Sequence, residues 1–226
     1  MLNISILSFA IPYFALLTSC STSTDPNGSH KNPYCVNQAG LFSIPDSLKI
    51  IDIDFGDSDE GLLALLTAET DIDSCWNKLA FGLPLAQNFE PVRVYVLNEC
   101  PDHLIRLESK TKQISVLVNQ FGQVLIDGEP LSIDSLQFSI KANLNVIEIP
   151  EQQEILVLWD RDSPRDSLKA ALIGIVEGFL LKQEELALEE FSTSICSLNE
   201  SQIHYLSEVL PMNIRLGIGR YFTPPP

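Results

Sequence analysis

The residue with the clearest chemistry in this sequence is Cys20, which ends an uncharged apolar segment. It follows Leu17, Thr18 and Ser19, and a branched apolar residue, two small residues and a cysteine form the lipobox of bacterial lipoprotein signals. We predict that residues 1–19 are a signal peptide and that Cys20 carries the lipid anchor, since two or more acyl chains hold a protein firmly on a membrane. The alternative is an uncleaved membrane helix, because 19 residues span about 28 Å when helical.

The other four cysteines are the next group that could do chemistry. An exported chain meets oxidising conditions, so four cysteines could form two disulfides in any of three pairings, and buried free thiols are the alternative. The possible disulfide cysteines are Cys35, Cys75, Cys100 and Cys196. Cys100 and His103 also have a C-x-x-H spacing, but two ligands do not complete a tetrahedral zinc site.

A group of four aspartates could suggest a calcium site. Asp52, Asp54, Asp57 and Asp59 lie close together, but Gly56 stands where an EF-hand loop needs its third acidic ligand. A solvated strand face followed by a helix cap explains these acids better. The sequence therefore predicts no metal site and indicates no cofactor.

Catalytic motifs are missing from the sequence, and its charge argues against one class of partner. The chain has no G-x-S-x-G, no H-E-x-x-H and no phosphate-binding loop. We therefore predict a protein that is not an enzyme. Fourteen basic and thirty acidic residues give a net charge of −16, which argues against nucleic acid as a partner and against binding to anionic lipid by charge alone.

The first half of the chain is predicted to hold a tether and a small extension. Residues 20–47 contain many Ser, Thr, Asn, Pro and Gly residues, which favours a tether, with folding expected to begin near Leu48. Alternating residues predict a strand over 48–55 and another over 91–99, with a helix capped by Asp57 between them. We assign 48–112 to an N-terminal strand–helix extension.

The second half of the chain, 113–219, carries the clearest pattern. Strands are predicted over 113–119, 123–127, 154–160 and 213–219, the first two as a hairpin turning at Gly122. Helices are predicted from Ser132 to about Leu144, from Pro164 to Phe191 with Ser163 and Asp166 as caps, and after Ser197. A G-x-x-x-G at Gly174 and Gly178 predicts close packing on the sheet, and residues 220–226 form a tail.

The order of these elements resembles the ExbD/TolR family of proton-driven biopolymer transport, over about residues 113–215. The likeness rests on "ISVLVNQFGQVLIDGEPLSIDSL", on "ILVLWDRDSPRDSLKAAL" and on "LEEFSTSICSLNESQIHYLSEVLPMNI". It implies an α+β fold, a small mixed sheet with helices on one face, in a periplasmic domain that is usually a dimer. The family also has a membrane helix with a proton-carrying aspartate. This chain has no acid before Asp25, so only the fold is transferred.

These observations predict a non-enzymatic lipoprotein of the bacterial cell envelope that faces the periplasm. It would be an accessory or interaction module of a transport system driven by the proton-motive force, bound to an ExbB/TonB-like or TolQ/TolA-like partner or to itself. Strand pairing at exposed sheet edges, 91–97 or 213–219, is the predicted mode of binding. The alternative is a peptidoglycan- or saccharide-binding envelope lipoprotein, in which Trp76, Trp159, Tyr95 and Tyr205 stack on sugars.

Overall fold

The computed structural model describes residues 34–42, 44–70, 77–86, 89–98, 112–145 and 153–217, which form a mixed α+β fold. This part of the chain contains seven strands and five helices, with short 3₁₀ turns at 133–135 and 195–197. The strands are β1 (Asn77–Leu83), β2 (Val92–Asn98), β3 (Lys112–Val118), β4 (Val124–Ile126), β5 (Glu129–Leu131), β6 (Gln153–Trp159) and β7 (Ile214–Leu216). The helices are α1 (Val36–Phe42), α2 (Asp59–Thr70), α3 (Leu136–Asn143), α4 (Arg165–Phe191) and α5 (Glu200–Val209).

All seven strands form one mixed sheet in the order β1-β2-β7-β6-β3-β4-β5. The central pairs β2·β7, β7·β6 and β6·β3 are parallel, and the outer pairs are antiparallel. Strands from the predicted extension and from 113–219 therefore share a single sheet. The prediction that 91–97 and 213–219 are edges was wrong, because β7 enters between β2 and β6 and gives both segments neighbours on each side.

The segment 48–55 is extended, but it does not form the predicted strand. Its contact with the sheet is a single parallel bridge between Ile50 and Gly82, supported by backbone bonds from Ile51 N to Gly82 O and from Gly82 N to Lys49 O. Burial still alternates as predicted, with Ile51, Ile53 and Phe55 buried between exposed aspartates. Pairing stops after this one bridge, and the chain turns at 55–56 before α2 begins at Asp59.

Helix starts differ from the predicted caps. Ser58, and not Asp57, accepts a hydrogen bond from the N–H of Gly61 at the start of α2. Ser163 does not cap α4, because its hydroxyl donates to Val118 O at 2.8 Å. The cap of α5 is Asn199 in place of Ser197. For α2 and α5 a neighbouring polar residue takes the cap, because a sequence rich in Ser, Asp and Asn offers several candidates within one turn. Helix α4 has Pro164 at its N-cap and no side-chain cap.

The long helix α4 packs closely against α3. A Cβ atom at Gly178 would lie 2.6 Å from Ile140 Cβ, and one at Gly174 would lie 3.2 Å from Leu136 Cδ2. The two glycines thus allow close packing, as predicted, but against α3 and not against the sheet. Searching the described residues finds no helix with the length and apolar character that a membrane span requires.

Folding starts before Leu48, because Cys35 forms a disulfide with Cys196. This bond fixes the start of α1, whose Leu41 and Phe42 are buried in the core. The side-chain Nδ2 of Asn37 donates to Ile195 O at 2.9 Å and to Leu198 O at 2.8 Å. A helix of seven residues is too short to be stable alone, so the disulfide and these contacts hold it in place.

Candidate interaction surface

The two faces of the sheet differ in how far they are covered. On one face, fifteen apolar strand residues are 0–7% exposed and form a common core with the helices. These residues are Leu79, Phe81, Leu83, Val92, Val94, Val96, Ile114, Val116, Val118, Val124, Ile126, Ile155, Val157, Ile214 and Leu216. The alternate positions of the same strands point to the other side, because successive side chains of a strand project to opposite faces. We call this second side the open face.

The open face carries a group of half-buried leucines. Leu158 pairs with Leu117, and Leu117 pairs with Leu125, so the three side chains lie side by side across β6, β3 and β4. Leu156 is the next residue of β6 on this face. A Cβ atom at Gly217 would lie 2.3 Å from Leu158 Cδ2, so this leucine leans over the neighbouring strand. We call these four leucines the leucine patch.

A polar cluster adjoins the leucine patch. The hydroxyl of Tyr95 on β2 donates to Glu154 Oε2 on β6 at 2.5 Å, and both residues are 8% exposed. Arg215 on β7 lies between them in the sheet, with its Nη2 3.3 Å from Glu154 Oε1 and 3.1 Å from Gln113 Oε1. Four strands therefore contribute to one hydrogen-bonded group, and they fix the position of the arginine.

Burial raises the pKa of the Tyr95 phenol, and the hydrogen bond to Glu154 raises it further, while Arg215 acts in the opposite sense. The phenol therefore stays protonated at neutral pH and keeps donating to Glu154. Both carboxylate oxygens of Glu154 are already engaged. The bonds from Arg215 to Glu154 and Gln113 hold the guanidinium in place.

Two more cations complete the open face. Lys78 Nζ lies 4.6 Å from the centre of the Tyr95 ring, a distance at which an ammonium is attracted to the face of the ring. Arg93, next to Tyr95 on this side of β2, is exposed. The strand positions of the open face thus carry the three cations Lys78, Arg93 and Arg215 beside the single carboxylate Glu154.

The predicted site residues fall into two groups. Cys35 and Cys196 form a disulfide, which is one of the pairs left open by the sequence. The predicted signal peptide at 1–19, the lipidation site Cys20, and Cys75, Trp76, Cys100, His103 and the tail lie outside the described residues. In the part of the chain that is described, no three His, Cys, Asp or Glu side chains are grouped so as to hold a metal ion.

Of the aromatic residues proposed to stack on sugars, the three that the structure describes do not form a common platform. Trp159 donates its indole N–H to Phe55 O at 3.0 Å and packs edge-on against the Phe55 ring. Tyr95 is buried in the polar cluster. Tyr205 is 40% exposed on α5, where it meets Phe191 edge-on. Asp52, once weighed as a calcium ligand, pairs with Arg165 at 2.9 Å.

Glu154, Arg215 and Gln113 were not identified from the sequence. The alternation in "VRVYVLN" already placed Arg93, Tyr95 and Leu97 on one face of a strand. Tyr95 lies beside Glu154 and Arg215, which are 59 and 120 positions further along the chain, because β7 lies between β2 and β6. Only the strand order supplies that information.

Comparisons with models of protein families, with curated proteins and with solved structures found no match to this chain. The candidate surface is therefore argued from its own geometry.

Proposed function

We propose that this protein is a lipid-anchored, non-enzymatic interaction module of the bacterial envelope, with an ExbD/TolR-like domain that serves a biopolymer transport system driven by the proton-motive force. The observation that carries the proposal is the open face. A sheet face with a leucine patch beside a fixed arginine is suited to binding another protein, because apolar area supplies affinity and placed charges supply specificity.

Two further observations support this assignment. The Cys35–Cys196 disulfide is of the kind that forms outside the reducing cytosol, which agrees with export by a lipoprotein signal. The order of elements from β3 onward is hairpin, helix, strand, long helix, short helix and strand. This is the order on which the ExbD/TolR resemblance rests, and helices on one face of the sheet are part of the same proposal.

Co-purification tests whether the open face binds a partner. Tagged wild-type protein and a Leu117→Asp variant are purified from solubilised envelopes, and the co-purifying proteins are identified by mass spectrometry. We expect membrane subunits of a proton-driven transport system with the wild type and at least tenfold less of them with the variant. The matched control is Ala64→Asp at an exposed position of α2, which should co-purify the same proteins as the wild type.

The outcomes separate the parts of the proposal. Equal recovery with Leu117→Asp, in a variant whose melting temperature stays close to that of the wild type, contradicts binding at the open face. Recovery of wall fragments instead of motor subunits favours the saccharide-binding alternative. Metabolic labelling with radioactive palmitate, with Cys20→Ala as control, tests the anchor, and label that persists in the variant contradicts lipidation at this cysteine.

A further inference from the structure

The charge of the open face is opposite in sign to that of the molecule as a whole. Its strand positions carry three cations and one carboxylate, in a chain with a net charge of −16. The five helices show the reverse, with eleven carboxylates and four cations in their sequences. A positive, partly apolar surface on an acidic protein is complementary to a negatively charged, partly apolar ligand.

We propose that the open face binds an acidic segment of another protein that also presents apolar side chains, an inference that rests on the interaction function proposed above. The leucine patch covers β6, β3 and β4, and the cations lie on β1, β2 and β7. The ligand therefore places apolar side chains over one half of the face and carboxylates over the other.

Arg215 has the geometry to act as the central contact for a ligand carboxylate. Its bonds to Glu154 and Gln113 both use Nη2, and a guanidinium carries five N–H donors in a planar fork that suits carboxylates. Glu154 and Gln113 thus orient a side chain that keeps the capacity to donate to a ligand. Lys78 and Arg93, which are exposed, add charge on the same half of the face.

A second copy of this chain fits the open face poorly. Face-to-face pairing would bring two sets of Lys78, Arg93 and Arg215 together, and like charges placed opposite each other are repulsive. Seating the acidic helices of one copy on the open face of the next would join unlike surfaces, which gives a ring or an open filament rather than a dimer. Like charges therefore disfavour a face-to-face dimer, and we take a different protein as the occupant.

The width of the face sets the size of a suitable probe. From β1 to β4 there are five spacings between strands, and at about 4.8 Å each they span about 24 Å. An α-helix of about 16 residues has this length. The probe is therefore a synthetic peptide of about 18 residues with leucines along one helical face and glutamates on both sides of them, and the control peptide has lysine in place of every glutamate.

The experiment measures binding of both peptides to the purified full-length protein in detergent, by fluorescence anisotropy. We expect the acidic peptide to bind at least tenfold more tightly than the basic one, with an affinity that falls as salt is raised. The double variant Lys78→Glu, Arg93→Glu should reverse this preference. The matched control is the double variant Lys49→Glu, Arg161→Glu, which changes the net charge equally at two exposed positions outside the open face. This control should keep the preference for the acidic peptide.

Each remaining outcome overturns the inference. Equal binding of both peptides, binding of neither, or an unchanged preference in the Lys78→Glu, Arg93→Glu variant shows that an acidic segment is not the occupant. Self-association of the protein without peptide, detected by analytical ultracentrifugation and lost in the same double variant, would make a second copy the occupant. The proposed function fails separately, through equal co-purification with wild type and Leu117→Asp.

Discussion

The two faces of the sheet are built from the same seven strands but differ in burial and composition. The covered face is closed by the helices and consists of apolar side chains that are almost completely buried. The open face has half-buried leucines and an ordered cluster of Tyr95, Glu154 and Arg215. Buried apolar area is thus concentrated on one side of the strands, and the other side carries the surface that we propose binds a partner.

The largest predicted effect separates two residues of β6, Ile155 and Leu158, that lie on opposite faces of the sheet. Ile155 is fully buried and Leu158 is half-buried. Ile155→Ala should lower the free energy of unfolding by about 2–5 kcal/mol, because it leaves a cavity in the core. Leu158→Ala should lower it by about 1 kcal/mol or less, since it removes less buried area. Chemical denaturation measures both, and equal losses would remove the distinction between the faces.

Loss of the Cys35–Cys196 disulfide gives the next largest effect on stability. This effect should leave the open face unchanged. Cys196→Ser should lower the free energy of unfolding by about 2–4 kcal/mol, because Cys35 and Cys196 close a long loop of the chain. Thermal unfolding with and without reductant measures this loss. Reductant should shift the melting temperature of the wild type more than that of the variant. The affinity of the Cys196→Ser variant for the acidic peptide should stay within about twofold of the wild-type value. Loss of binding in this variant would show that α1 and the open face depend on each other.

Arg215→Met tests the charged cluster of the open face. The substitution leaves the Glu154 carboxylate in a site that is 8% exposed without the guanidinium beside it, which should lower the free energy of unfolding by about 1–3 kcal/mol. Adding Glu154→Gln should restore most of the loss, and a double-mutant cycle measures the coupling. Additive losses would mean that Glu154 and Arg215 do not interact in solution.

The smallest effect concerns a second tyrosine–glutamate pair, formed by Tyr34 and by Glu177 of α4. Burial raises the pKa of Glu177, and its hydrogen bond with Tyr34 only partly offsets this. A carboxyl whose pKa is higher in the folded state binds its proton more tightly there. Stability therefore falls as pH rises from the ordinary pKa of a glutamate toward the higher pKa of the folded state. Glu177→Gln should therefore raise the free energy of unfolding by less than about 1 kcal/mol at pH 7 and leave it unchanged below pH 4. A pH series of unfolding free energies checks it, and an equal gain at both pH values would contradict the sign.

The sequence predicted the elements well where the pattern was local. The hairpin of β3 and β4, the central strand β6, and the helices α3, α4 and α5 lie close to their predicted positions. Their apolar periods and turn residues act over a few positions, and this is the range that sequence patterns describe. The alternation in 48–55 correctly gave buried and exposed residues, although hydrogen bonding to Gly82 stops after one bridge.

Features that depend on distant parts of the chain were not predicted. Strand β1 was missed, and it pairs with β2 at the edge of the sheet. The edges of the sheet were misplaced because β7 pairs with both β2 and β6. The cluster of Glu154 and Arg215 follows from that same pairing. Cys35 was one of four candidates for two bonds, and only folding of α1 onto the turn at 195–197 brings it to Cys196.

The central claim is that the open face, and not the helical side, contacts a partner in the envelope. Photo-cross-linking in living cells tests it most directly, with p-benzoylphenylalanine placed at Leu117 on the open face or at Ala64 on α2. We expect a discrete cross-linked protein band from position 117 that disappears when Lys78→Glu and Arg93→Glu are introduced, and no such band from position 64. Bands of equal yield from both positions, or a band from position 64 alone, would contradict the account.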